Sequence, residues 1–522
     1  VVDVGTRVAE SAPDQVTTPA GGPDVVGRWC LRVGIVLLAL QGAFFVVLSV
    51  VLYQRFTLSI DFGIFNQAWS QIGSGHLDPT STINGFPYVK SHFELLMWPL
   101  ALLYPIFHSA LVLLLLQDAA LMVTGMVVLL WVSALLVRRG AAPGWTMAVT
   151  AGTVLLLLIN PIVYATASED FHFEPLAMCF VVLAAYDLWS GRTTRMWVWA
   201  GLCLLCGDIG GLYLVGLGLT GIVAARGSRY RALVLLAVGG AWVALISGLG
   251  ANLGSDVSTG YAYLAARTVL PNGARGLLLV AQGVVGHPSR AWNILWPRWG
   301  EMFRYVESGG GIGILTPWGF GVPLVVLGAS GLQGNPIFLS VRFQNVVVVP
   351  FVTFGTAWLV VWIATRWRAW PAAVLAAVVG LLSLVAGGAE AVQQLPTAFS
   401  LNATAGIVPA DKAAALHQAL DAVPPGAETI VSVPIIGRFA QRRYVYTAID
   451  PALHSSPPLP VHGATVAVII DETDAPQLLP PAVADQLRAE LVARGAHVVV
   501  DRDGVLAIVW HPPPGTRQLP LP

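Results

Sequence analysis

Charge is what this 522-residue chain has least of: 11% of its residues are Asp, Glu, Lys or Arg, against 56% hydrophobic ones, with a mean hydropathy of +0.72. Soluble domains carry about 25% charged residues, so a water-soluble fold is excluded and a polytopic membrane protein is expected. The 28 basic and 28 acidic residues cancel, which leaves no basic excess for nucleic acid. Lysine is nearly absent: Lys90 and Lys412 are the only two, and arginine carries the rest of the positive charge. Together with abundant Ala, Val and Gly, this points to a GC-rich bacterial genome. The four cysteines, Cys30, Cys179, Cys203 and Cys206, lie in or beside apolar runs, so the outer parts have no disulfide framework. Cys203 and Cys206 form a C-x-x-C without a second ligand pair and read as lipid-buried small residues. A glycine-rich phosphate loop after a strand is also missing. GGGIG at Gly309–Gly313 precedes an apolar span and reads as a hinge or tight turn.

What is present is a series of apolar runs. The length leaves room for about ten spans of roughly 20 residues and one extramembrane domain. Residues 1–27 are polar, rich in Pro, Gly and Asp, and read as a disordered cytoplasmic tail. That tail is too long and too weakly basic to open a cleaved signal peptide, so the first span, about Trp29 to Tyr53, is expected to be retained. Arginine clusters punctuate the runs at Arg28 and Arg32, Arg138 and Arg139, Arg192 and Arg195, Arg226 to Arg231, and Arg366 and Arg368. The positive-inside rule puts all five in the cytoplasm and the segments between them outside. Met196–Ala225 must then be a hairpin turning near Gly207 and Asp208. Parity demands a further crossing between Leu253 and Val346, expected within Gly276–Val306 although Arg290, Arg298, Glu301 and Arg304 lie there. Residues 28–400 therefore form the transmembrane domain, with a first outer loop over 54–94. Residues 401–522 alternate helix and strand patterns and read as a small extracytoplasmic α/β domain.

The first outer loop opens with SIDFGIFNQAWSQIGSG, Ser59 to Gly75. On a helical wheel Phe62, Phe65, Trp69 and Ile72 share one face and Asn66, Gln67, Ser70 and Gln71 the other, which predicts a helix lying in the membrane interface. Asp61 falls at its start, either as an N-cap, as a catalytic carboxylate at the rim of a cavity, or as both. A tripeptide recurs in SHFELL and DFHFEPL, bringing His92, Glu94, Asp170, His172 and Glu174 to the outer side. His and Glu two apart converge only in an extended chain, and Pro175 biases Glu174 away from the α region. His92, Glu94, His172 and Glu174 could then hold a divalent metal ion of zinc or manganese type, contact substrate directly, or simply mark where the chain re-enters the bilayer. Asp208, at the apex of its hairpin, should face water or a cation. Arg342, in SVRFQNVVVVP, suits a phosphate ligand or an interfacial snorkel.

These residues resemble a family. DFGIFNQAWS resembles the D-L-G-I-F-D-Q signature of the domain of unknown function 2079 family of bacterial and archaeal membrane proteins. SHFELL and DFHFEPL resemble its H-F-x-P motifs, and VSVPIIGRFAQRRYVYT with VAVIIDE its outer C-terminal domain. The family is grouped with the GT-C glycosyltransferases, which use polyprenyl-phosphate sugars and carry an acidic catalytic residue in the first outer loop. The resemblance implies a multi-pass α-helical, GT-C-like fold of about 10–11 transmembrane helices with a C-terminal extracytoplasmic α/β domain. It makes Asp61 the catalytic residue and Arg342 a ligand of the donor phosphate, with Gln67, His92, Glu94, Asp170, His172, Glu174 and Asp208 around the substrate. Implied partners are a lipid-linked sugar donor, a cell-envelope acceptor and membrane lipids, in a bacterial plasma membrane with the N-terminus cytoplasmic. The chain departs from the family where Cys206-Gly207-Asp208 replaces a lysine and an acidic pair, and where Asn66 replaces an aspartate. A non-catalytic transporter or lipid-binding protein is the competing expectation.

Overall fold

The computed structural model describes residues 25–249, 260–340, 342–366, 370–399, 408–448, 459–472 and 480–519. Most of the expected tail therefore lies outside the described residues, but helix α1 (Val25–Gln54) already begins at Val25. There follow α2 (Ile60–Gly73), a two-residue hairpin of β1 (Thr80–Ser81) and β2 (Phe86–Pro87), and α3 (Leu111–Arg139). The long apolar run after Arg139 is broken. Asn160 caps α5 (Pro161–Ala167) by accepting from the amides of Ile162 (3.1 Å) and Val163 (3.2 Å), and Pro161 ends α4 (Pro143–Leu158), so the two helices meet at 41°. Next come α6 (Glu174–Ser190), α7 (Thr193–Leu205), α8 (Asp208–Ala224) and α9 (Arg229–Leu249). The expected hairpin at Gly207 and Asp208 is the α7–α8 turn, made possible by Gly207 at φ +96°.

Helices α10 (Ala274–Gly286), α11 (Pro288–Ser308), α12 (Pro317–Leu332), α13 (Val348–Arg366) and α14 (Trp370–Phe399) complete the bundle. By length and composition, α1, α3, α9, α13 and α14 are able to cross a bilayer, and the α4–α5 pair makes a sixth. Among the described residues, α8, α10 and α12 are shorter apolar helices that add to these. Close packing joins two of them. A methyl on Gly216 would lie 2.6 Å from the Cα of Val322, and one on Gly321 2.5 Å from the carbonyl of Gly216, so α8 and α12 touch backbone to backbone.

Helix α11 occupies most of the range where a further crossing was expected, but it is not among the helices long and apolar enough to cross a bilayer, and Trp292, Trp296 and Trp299 are exposed along it. Arg298 donates to the carbonyls of Gly331 (2.8 Å), Gln333 and Gly334 (3.1 Å) at the C-terminal end of α12. The turn after α11 lies against the N-terminal half of α13, where a methyl on Gly313 would meet the carbonyl of Val352 at 2.0 Å. Pro317 and Trp318 border the arginine-rich end with Arg138, Arg139 and Arg366. Pairing Arg298 with free helix-end carbonyls is what lets a polar helix occupy this place.

The C-terminal part has α15 (Ala410–Ala422), β3 (Glu428–Val431), β4 (Val445–Thr447), β5 (Val466–Asp471), α16 (Pro481–Ala493), β6 (His497–Arg502) and β7 (Val505–Trp510). Its sheet runs β4-β3-β5-β7-β6, with β3 parallel to β4 and β5, and the β5–β7 and β7–β6 pairs antiparallel. Leu487 and Leu491 of α16 belong to the core on one face, with Ile430, Val468 and Ile508; Leu416 and Ala419 of α15 belong to the other, with Val431, Ile469 and Ala507. This second core is continuous with that of the transmembrane bundle. Arg438 lies 4.3 Å from the ring centre of Phe56 and 4.7 Å from that of Tyr53, and His417 reaches the carbonyl of Gln54 at 3.1 Å, holding the domain on the end of α1.

Candidate active site

Helix α2 carries Asp61, and neither of its faces is the one expected. Phe62, Phe65 and Trp69 are buried, but so are Asn66, Gln67 and Ser70. The polar face is covered by the C-terminal domain: the Asn66 amide donates to the carbonyl of Gly437 (2.9 Å). The Gln67 amide donates to Thr82 Oγ1 (2.9 Å) and the carbonyl of Arg443 (3.0 Å), and its oxygen accepts from the amide of Thr82 (3.0 Å). The helix is thus an internal strut between two domains rather than an interfacial one. Gln67, expected at substrate, has its amide engaged in joining them.

Asp61 is not the N-cap. Ser59 occupies that position, and its own side chain does not cap the helix. The cap is Asp170, from the loop before α6: its carboxylate accepts from the amide (3.0 Å) and hydroxyl (2.7 Å) of Ser59 and from the amide of Phe62 (3.1 Å). One carboxylate therefore holds the helix start and leaves the other available. Asp61 is about half exposed, with His172 Nε2 4.0 Å from its Oδ2. Burial raises the Asp61 carboxyl above the ordinary aspartate range, moderated by the charge of His92.

Phe65 is the hub around which both H-F-E copies gather. Its ring meets His92 at 4.9 Å, Phe171 at 5.4 Å, Phe173 at 5.5 Å and His172 at 6.1 Å between centres, all edge to face. The first copy is extended at His92 (φ −142°, ψ 106°), and Nδ1 lies 3.7 Å from Glu94 Oε1. Burial draws the His92 ring down, but Glu94, Asp61 and Asp208 outweigh it, so its affinity for a proton is raised. In the second copy the expectation fails: Phe173 is in the α region and Glu174 opens α6 with Pro175 beside it. Proline belongs naturally in the first turn of a helix, where its missing N–H is not needed. His172 instead stacks on Phe343 at 3.4 Å and donates its backbone N–H to Gln117 Oε1 (2.8 Å). Burial, and then the charge of His92, lower its ring to about 3, so it faces Asp61 as a neutral group and not as an ion-pair partner. Among the described residues no three His, Cys, Asp or Glu side chains form a group able to hold a metal ion. The expected set of His92, Glu94, His172 and Glu174 does not fit one.

Glu94 reaches the α7–α8 turn, where a methyl on Gly207 would lie 3.4 Å from its Cγ, and the amide of Leu96 donates to the carbonyl of Leu205 (2.8 Å). Asp208 starts α8, its Oδ1 accepting from the amide of Ile209 (2.8 Å). Arg342 lies in a one-turn helix just before α13, beside Phe343. It acts electrostatically on Glu169, a residue that the sequence reading passed over although it directly precedes Asp170 in EDFHFEP. Burial pushes the Glu169 carboxyl up to about 7; the Arg342 guanidinium opposes this, and Asp170 and Asp61 reinforce it. The site thus brings together Asp61, His172 and Phe343 by contact and Glu169 and Arg342 by charge, with His92 and Glu94 on the flank.

A profile of the family described as predicted membrane protein (DUF2079) matches residues 52–455. Among solved structures, ArnT from Cupriavidus metallidurans bound to undecaprenyl phosphate matches with a TM-score of 0.44 and 14% identity, over 91% of this chain and 97% of that one. The apo form of the same protein matches with a TM-score of 0.38 and 13% identity, over 90% and 97%. No curated protein matches the chain.

Proposed function

Since the chain belongs to the DUF2079 family, whose signature surrounds Asp61 in its first outer loop, we propose that it is a membrane glycosyltransferase of GT-C type. It would transfer a sugar from a polyprenyl-phosphate donor to an extracytoplasmic acceptor: a cell-envelope glycan, lipid or protein. The observation that carries this reading is the division of labour between two carboxylates, with Asp170 fixing the start of α2 and Asp61 left half exposed beside a neutral His172.

In the transfer, Asp61 takes the proton of the acceptor hydroxyl as its oxygen forms the bond to the anomeric carbon. The bond from that carbon to the phosphate oxygen breaks, its electrons stay on the phosphate, and configuration inverts. A carboxylate raised by burial is a better base than an ordinary aspartate. Arg342 is suited to the departing phosphate because a guanidinium stays charged and binds two oxygens at once. An apolar cavity of about 660 Å³ on the same helix as Tyr305, walled by Trp299, Met302, Phe303 and Leu382, offers room for part of a polyprenyl chain.

Transfer of labelled sugar from a polyprenyl-phosphate donor by the full chain in lipid nanodiscs tests the reading, with Arg342→Lys beside Arg304→Lys. Arg304 pairs with Glu301 on the exposed side of α11 at 2.8 Å and serves as the control. Arg342→Lys should raise the donor KM about tenfold or more, through loss of the bidentate geometry, and Arg304→Lys should not. Donor binding without any transfer would favour the lipid-binding alternative, and equal effects of the two variants would remove Arg342 from the donor site.

A further inference from the structure

The arginine-rich end of the bundle, opposite the site just described, contains a cavity of about 750 Å³ where α3, α6, α8 and α13 end and α12 begins. Its rim carries Arg138, Arg139 and Arg366, and its walls Trp189, Trp318, Trp358 and Trp362. Trp358 and Trp362 stack at 6.2 Å and 10°, and the Arg138 guanidinium lies 5.0 Å from the ring centre of Trp189.

A topogenic arginine needs only to stay at the membrane surface, and the carbonyl ends of these helices would welcome a cation. Both roles are filled differently nearby. Arg192 and Arg195 pair with buried Asp187 at 3.7 and 3.2 Å, and Arg229 donates to the carbonyl of Ile222 at 3.3 Å. Among the described residues, Arg138, Arg139 and Arg366 make no ion pair, and no carboxylate lines their cavity. Three guanidiniums around one concavity repel each other, and a bound anion relieves that repulsion. The tryptophans define the remainder of the ligand: it must offer aliphatic groups beside its charge. A phosphate ester on a glycerol and acyl frame meets both demands at headgroup depth, where tryptophan is favoured.

We propose that this cavity is a binding site for an anionic phospholipid, the phosphate at Arg138, Arg139 and Arg366 and the glycerol and upper acyl chains against Trp358 and Trp362. It is separate from any donor-lipid site at Arg342 and stands or falls independently of the transferase reading.

The test is native mass spectrometry of the full chain exchanged into detergent with phosphatidylglycerol or phosphatidylcholine, with glycerol phosphate as a soluble competitor. Wild type should retain phosphatidylglycerol in preference to phosphatidylcholine. The double variant Arg138→Gln, Arg366→Gln should retain it roughly 10- to 30-fold more weakly, from the contribution of each basic residue near a membrane surface. The double Lys variant at these positions should keep most of the binding and shows whether the Gln variant has merely lost its fold. Undiminished retention by the Gln variant, or equal retention of the two lipids by wild type, overturns the proposal. Displacement by glycerol phosphate at the lipid's own concentration overturns it also, in favour of a soluble phosphate ester.

Discussion

Replacing Asp61 and Asp170 one at a time should separate chemistry from architecture. Asp170→Ala leaves the amides of Ser59 and Phe62 and the Ser59 hydroxyl without their acceptor. A buried donor left unsatisfied costs about 1–3 kcal/mol, and water at this half-buried position relieves part of that, so a total loss of about 2–4 kcal/mol is expected. Asp170→Asn keeps one acceptor oxygen and loses the charge facing the helix start, which costs about 1 kcal/mol. Asp61 caps nothing. Asp61→Asn should therefore change stability by only about 0.5 kcal/mol, because the lost attraction to the helix dipole is offset by relief of a buried charge. Turnover should order the variants differently. Asp61→Asn cannot accept a proton and should lose about 10²–10⁴-fold in transfer, whereas Asp170→Asn should retain more activity than Asp61→Asn despite being less stable. Thermal unfolding and sugar transfer, measured on the same nanodisc preparations, decide the matter. If Asp61→Asn melts as early as Asp170→Ala, or if Asp170→Ala melts like wild type, the assignment of cap and base is wrong.

Glu169 provides a pH test. Its carboxyl is neutral below about 7 and anionic above, so as pH rises through that value it should compete with the donor phosphate for Arg342, and the donor KM should climb. Glu169→Gln should abolish that alkaline rise, and an unchanged profile would separate Glu169 from the donor. Orientation is open to thiol labelling in a cysteine-free background: a cysteine at Ser74 should react with an impermeant reagent in intact cells and one at Ala142 should not. The reverse pattern would invert the topology and move Asp61 to the cytoplasmic side.

Much of the fold was legible because its signals are local. Apolar runs and arginine clusters located most of the helices, the turn at Gly207 and Asp208 followed from parity, and strand patterns such as VAVIID matched β5. The fracture at Asn160 and Pro161 was hidden inside a run of uniform hydropathy, although an Asn-Pro pair is itself the signature of a helix start. The place of α11 was hard to recognise for the opposite reason. Its arginines look unsuited to lipid until the carbonyls at the end of α12, some thirty residues further on, are brought against Arg298.

The candidate site was legible as residue types and not as roles. Asp61, Asp170 and both histidines stood out because charged groups are rare in this chain. Which carboxylate caps and which is left for chemistry depends on a contact spanning 111 residues, between Ser59 and Asp170, that no local rule predicts. The polar face of α2 misled in the same way. Alternation of apolar and polar residues on a helix says that two unlike surfaces are met, and water was assumed for the second. The second surface is instead the C-terminal domain, through Gly437, Arg443 and Thr82, the last of which itself donates to the carbonyl of Val445 at 2.7 Å.

That arrangement makes the C-terminal domain part of the site's construction. Helix α2 is held by Asp170 at its start, by the Phe65 cluster on its inner face, and by Gly437 and Arg443 on its outer face. Remove the third and the side-chain amides of Asn66 and Gln67 lose their acceptors in the C-terminal domain, so the helix that carries Asp61 is held only at its start and on its inner face. The extent of the family match is consistent with this. It runs from Leu52, at the end of α1, to residue 455, just past β4, and so includes Gly437, Arg443 and Val445 while ending before β5. The matched span therefore contains the outer clamp on α2 as well as the bundle below it. A chain cut before β3 would keep every residue proposed for chemistry and lose the surface that positions them.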